Sequence, residues 1–112
     1  MQTIVELPEF QRQAASLFRD DERTDIVNFL AKSPKAGVVM QGTGGIRKLR
    51  WGRSGKGKRS GVRVIYYYLN NAMPLFLLTV FGKGEKTNLS KGERNTLAGL
   101  TRDLKQNYQI GN

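Results

Sequence analysis

The sequence contains no cysteine and no histidine. The first absence excludes disulfides and thiolate metal sites. The second removes the usual general base near neutral pH and the commonest zinc ligand. Catalysis by this chain must therefore use Lys, Arg, Tyr, Ser/Thr or a carboxylate, or rely on chemistry that a partner supplies. No apolar run approaches the length of a membrane span. The opening MQTIVELPEF carries acid where a secretory signal is basic, so a cytoplasmic location without a membrane partner is expected. Negative charge is missing from the whole middle of the chain: between Asp25 and Glu85 there is neither Asp nor Glu.

That acid-free stretch holds eleven basic residues: Lys32, Lys35, Arg47, Lys48, Arg50, Arg53, Lys56, Lys58, Arg59, Arg63 and Lys83. The flanking parts are close to neutral, so the formal charge of +10 is concentrated in one segment. A surplus spread evenly would serve solubility, whereas one gathered in a single segment reads as a binding face for a polyanion. With 112 residues, 38% of them hydrophobic, one ordered domain over residues 1–112 is expected, with a single modest core.

Residues 3–7 (TIVEL) favour a short first strand. Pro8 suits the first turn of a helix, and Phe10, Ala14, Leu17 and Phe18 follow as one apolar stripe. The acids of residues 20–25 (DDERTD) stand where a second helix begins and complement its dipole, a capping role and not a catalytic carboxylate pair. Ile26, Val27, Phe29 and Leu30 form its buried face, and Ser33-Pro34 ends it. Residues 37–45 (GVVMQGTGG) read as a short extended piece and a turn. Three strands are then expected over residues 46–51, 62–69 and 75–81, with a turn at Asn70-Asn71. The last two are apolar on both faces and should be central; the Lys/Arg-rich one belongs near an edge. Ser90 with Glu93 forms a capping box for a final helix with Leu97, Leu100, Leu104 and Tyr108 on its stripe.

The basic loop GRSGKGKR (residues 52–59) fits the G-x-x-x-x-G-K pattern of a nucleotide-binding loop. It ends in Arg59 where a hydroxyl must hold magnesium, and it joins two strands instead of a strand and a helix. It makes better sense as a hairpin tip offered to a phosphodiester chain, with Arg47, Lys48 and Arg50 continuing the charge down the preceding strand. Strand geometry places Lys48 and Arg50 on one face and Arg47, Leu49 and Trp51 on the other, while Arg63 alternates with Ile65, Tyr67 and Leu69. Trp51 and Tyr67 are either core residues or platforms for base stacking. RNA brings its own nucleophile, the 2′-hydroxyl. Its cleavage therefore needs only alignment, charge neutralisation at phosphorus and proton transfers, which arginine and a lysine of lowered pKa can provide. Binding alone would use the same cluster.

The stretch GTGGIRKLRWGRSGKGKRSGVRVIYYYL, followed by LFLLTVFGKGEKTNLS, closely resembles the RelE/HigB group of type II toxin–antitoxin toxins, over about half the chain. The resemblance implies an α/β (α+β) fold: a small, mostly antiparallel sheet in β-α-α-β-β-β-α order with helices packed on one face. It implies a metal-independent, cofactor-free endoribonuclease that cleaves messenger RNA in the ribosomal A site, contacts ribosomal RNA, and is neutralised by a cognate antitoxin, in some systems a helix-turn-helix protein. In that family an arginine opening the second-to-last strand grips the scissile phosphate, and Arg63 matches it. A lysine on the preceding strand, matched by Lys48, stabilises the transition state or moves a proton. After the last strand some members carry an arginine and a later tyrosine. This sequence has Gly84 and Ser90 there, with Lys83 and Lys86 nearby as the catalytic candidates. Arg47, Arg50, Lys56, Lys58 and Arg59 are the expected substrate-binding residues. The alternatives are a noncatalytic nucleic-acid-binding module and an inactive toxin relative that binds the antitoxin as a co-repressor.

Overall fold

Alternation of period two, turn residues and helix caps translate into a five-stranded sheet with three helices in the computed structural model, which describes residues 2–52, 61–82 and 89–110. The chain runs β1 (Ile4–Glu6), α1 (Pro8–Leu17), α2 (Asp20–Lys32), β2 (Val38–Val39), β3 (Ile46–Trp51), β4 (Val62–Tyr67), β5 (Leu75–Gly82) and α3 (Lys91–Ile110). The strands lie in the order β1-β5-β4-β3-β2. Only β1–β5 is parallel; the other ladders are antiparallel. The sheet is thus mostly antiparallel, with one strand more than the expected order, because Val38 and Val39 pair with Lys48 and Arg47 as a two-residue edge.

The helices begin close to the expected positions, but α1 and α2 start behind Leu7 and Arg19 without a side-chain cap, so the acids of α2 complement its dipole and do not cap it. Pro8 occupies the first turn of α1, and Asp20, Asp21 and Glu22 fill the first turn of α2. Ahead of α3, the Ser90 amide donates to Glu93 Oε1 (2.9 Å) and the Glu93 amide donates to Ser90 Oγ (3.1 Å), so two otherwise free amides are satisfied reciprocally. None of the described helices is long and apolar enough to cross a membrane.

The helices do not share one face, and this corrects the expectation. Phe10 and Ala14 of α1 and Ile26 and Leu30 of α2 pack with Leu49, Val62, Val64, Tyr66, Leu77 and Val80 on one side of the sheet. Leu97, Leu100 and Leu104 of α3 pack with Ile46, Ile65, Tyr67, Phe76, Leu78 and Phe81 on the other. The reason is in β4 and β5: every residue of β4 is buried and β5 is nearly so, and a strand apolar on both faces must be covered twice. A bulge in β5 sets which residues meet α3. Ile65 pairs with Thr79 but Tyr66 pairs with Leu77, so Leu78 is supernumerary, and beyond it Phe81 falls opposite Arg63.

Candidate nucleic-acid interface

In the β3–β4 ladder Arg50 stands opposite Arg63, Lys48 opposite Ile65 and Arg47 opposite Tyr66. Opposed residues of an antiparallel ladder point to the same side and neighbours along a strand alternate. Lys48, Arg50 and Arg63 therefore share the face that carries α3. Opposed Cβ atoms lie about 4.5–5.5 Å apart and diagonal neighbours about 7–8 Å, so the three side chains leave the sheet as one patch. Like charges in opposed positions weaken a sheet, and the Arg50–Arg63 pair has no described carboxylate to offset it.

Arg63 is the centre of this patch. It is 8% exposed, and its Nη1 is buried without a hydrogen-bond partner. On one flank stands the buried Phe81 and on the other the exposed Arg50. A desolvated charge without a partner costs several kcal/mol, and folded proteins retain few of them. Its planar fork matches two non-bridging oxygens of a phosphodiester. The ion pairs between described residues, Arg12–Glu9, Arg19–Asp21 (3.9 Å) and Arg23–Glu6 (2.7 Å), all lie within residues 6–23. Those acids are held in the first quarter of the chain, away from the basic row.

Arg47 does not join the row. It points to the opposite face, where its Nη1 donates to the carbonyls of Gly37 (2.8 Å) and Lys35 (3.3 Å). Beside it the Tyr66 hydroxyl donates to Pro34 O and accepts from the Gly37 amide, both at 2.8 Å. Burial pushes the Tyr66 phenol above its usual pKa, opposed by the Gly37 hydrogen bond and the Arg47 charge. The two side chains form a clasp that holds the α2–β2 connection onto the sheet. Nη1 of Arg47 is used within the fold, while its Nε is buried without a hydrogen-bond partner.

Of the aromatic candidates Tyr67 is core, and Trp51 is half-buried at the margin of the α1–α2 side. Tyr67 is 1% exposed, its hydroxyl has no partner, and desolvation raises its pKa. Trp51 packs edge-on against Phe29, with centroids 5.4 Å apart and planes inclined by 61°. Lys56, Lys58 and Arg59, between β3 and β4 in sequence, and Lys83 and Lys86, after β5, lie outside the described residues. Two grooves of about 700 Å³ each lie elsewhere. One is bordered by Gln2, Lys32 and Asn71, the other by Leu7, Leu78 and Leu97, and neither is lined by a residue of the basic row. Among the described residues no three His, Cys, Asp or Glu side chains group to hold a metal ion.

No protein-family model matches the chain. One residue of interest was missed in the sequence. Arg94 of α3 has a buried Nε without a hydrogen-bond partner. The available signal was its position, three residues before Leu97, which puts an arginine on the stripe that docks α3 to the sheet.

Proposed function

We propose that this protein is the toxin of a type II toxin–antitoxin system, a ribosome-dependent endoribonuclease that stops translation by cutting messenger RNA in the A site. The observation that carries the reading is the buried Nη1 of Arg63, which has no hydrogen-bond partner, set beside Arg50 and Lys48 on one sheet face. Free energy is spent holding a cation where only an anionic ligand would repay it. A phosphodiester supplies two oxygens in the geometry that the fork requires.

In the proposed reaction the 2′-oxygen attacks the adjacent phosphorus and the bond to the 5′-oxygen breaks. The 2′-hydroxyl proton passes to a base, and the departing oxygen receives a proton from an acid. The products are a 2′,3′-cyclic phosphate and a 5′-hydroxyl. Arg63 grips the non-bridging oxygens and stabilises the charge that builds on them. Arg50 holds the neighbouring backbone, and Lys48 supplies charge or a proton beside the scissile bond. The ribosome presents the message in line, which lowers the demand on the protein's own groups. The natural partner is a cognate antitoxin that masks the basic face.

The test is cleavage of messenger RNA on programmed ribosomes by the wild type and by Arg63→Ala, with folding checked by circular dichroism. Wild-type cutting that Arg63→Ala abolishes supports the proposal. Salt-sensitive RNA binding without any cut product would instead assign a noncatalytic binding module.

A further inference from the structure

Arg94 lies in the first turns of α3 and presents a buried Nε with no hydrogen-bond partner. Two contacts orient it. Thr101, seven residues on, shares its hydroxyl proton between Leu97 O of its own helix (2.8 Å) and Thr43 O (3.2 Å) in the turn before β3. On its other flank, α3 lines a groove with Leu97 and Leu100 against Leu7 and Leu78. Residues seven apart return to the same side of a helix, so Arg94 faces the sheet on the β3 side, about 10 Å along the axis from Thr101. The start of the helix, at Gly92 and Glu93, lines that groove beside Leu78 and Thr79, and Thr79 stands opposite Ile65, the partner of Lys48. The displacement from Thr101 back to Arg94 therefore runs from the turn before β3 to the level of the basic row.

Two buried arginine nitrogens without partners, Nη1 of Arg63 and Nε of Arg94, thus project from β4 and α3 on the same side of the sheet. A nitrogen of this kind can be a local cost of packing, as Nε of Arg47 is on the opposite face. Two on the same face, with no described carboxylate pairing with either, give that face two unpaired guanidinium donors. The geometry points to Arg94 as a second phosphate-binding residue: a single-stranded nucleic acid gripped at Arg63 runs between α3 and β3 and sets an adjoining phosphate against Arg94. This rests on the polyanion reading of the basic face. It adds that α3 is part of the binding surface and that at least two phosphates are held. The Nε–H and one Nη–H of a guanidinium form a side-on fork for phosphate oxygens, which accounts for the Nε being the unsatisfied atom.

The experiment is binding of a short, fully 2′-O-methylated single-stranded RNA, which cannot be cleaved, to the full chain across a salt series. The variants are Arg94→Met, Arg94→Lys and Arg63→Ala. Arg94→Met is expected to weaken binding about tenfold and to make the slope of log K against log salt shallower by about 0.7, with the thermal midpoint unchanged or raised. Arg94→Lys restores the slope without the full affinity, since the charge returns and the fork does not. A merely structural arginine would leave the slope unmoved. Wild-type slope and affinity in Arg94→Met, alongside losses in Arg63→Ala, would overturn the assignment of Arg94 and leave the basic face standing. No binding by the wild type at low salt would overturn both. If Arg94→Met does not fold, Arg94→Lys decides alone: reduced affinity at an unchanged slope supports the fork, and wild-type affinity overturns it.

Discussion

Replacing Arg63 by methionine should make the protein more stable while removing its affinity for RNA. Arg63 is 8% exposed as a residue, with a buried Nη1 that has no partner, beside the buried Phe81. Exchanging a buried ionic group for a well-packed apolar one of similar volume gains about 1–4 kcal/mol. Relief of the opposed Arg50 adds about 0.2–1 kcal/mol. A net gain of about 2–3 kcal/mol is expected. With an unfolding entropy of about 2.1 cal/mol/K per residue, 112 residues convert each kcal/mol into about 4 °C. The thermal midpoint should therefore rise by about 8–12 °C. Urea denaturation should show the same gain as a higher midpoint at unchanged m. Methionine is the decisive substitution because alanine would add a cavity cost of the opposite sign. A loss of more than about 1 kcal/mol in Arg63→Met would refute the reasoning, since the guanidinium would then be a net stabiliser of the fold.

The adjacent tyrosines should respond in opposite senses to loss of the hydroxyl. Tyr66→Phe strands the Gly37 amide and Pro34 O and should cost about 1–3 kcal/mol, whereas Tyr67→Phe removes a buried hydroxyl without a partner and should be neutral or stabilising by about 1 kcal/mol, both read by urea denaturation. Gly37→Ala should destabilise by about 1–3 kcal/mol, because its Cβ would fall 2.8 Å from Tyr66 Cε1 and 2.9 Å from the hydroxyl; wild-type stability in that variant would dismiss the clasp. Burial raises both phenols above 10.0, so the unfolded chain loses these protons first. Their contribution is complete below pH 10 and declines as pH climbs through the folded values, and a Tyr66→Phe/Tyr67→Phe double variant should show a flatter alkaline limb in stability against pH.

What could be read in advance follows from local rules. The Ser90–Glu93 cap, Pro8 at the start of α1 and the common face of Lys48 and Arg50 each depend on spacing over a few residues, and each is found. That Arg63 joins them was not legible, because it depends on the register between β3 and β4. The two-sided helical cover was implicit, in strands apolar on both faces, although the family resemblance pointed the other way. The clasp made by Arg47 was not legible because its partners are carbonyls ten and twelve residues away, and only the folded loop brings them to it. Arg94 was overlooked because its environment is set by α3 docking on residues far away in the chain.

The bulge at Leu78 makes β5 depend on where it kinks as much as on which residues it contains. Past that point each side chain owes its direction to one surplus residue: if the strand straightened with nothing lost, Leu78 would face Ile65, Val80 would come round opposite Arg63 and Phe81 would turn towards α1. Excising Leu78 leaves Leu77 opposite Tyr66 and Thr79 opposite Ile65, so Phe81 keeps its place beside Arg63 in a now regular ladder. At this point the strand tolerates the loss of a residue better than the loss of its kink.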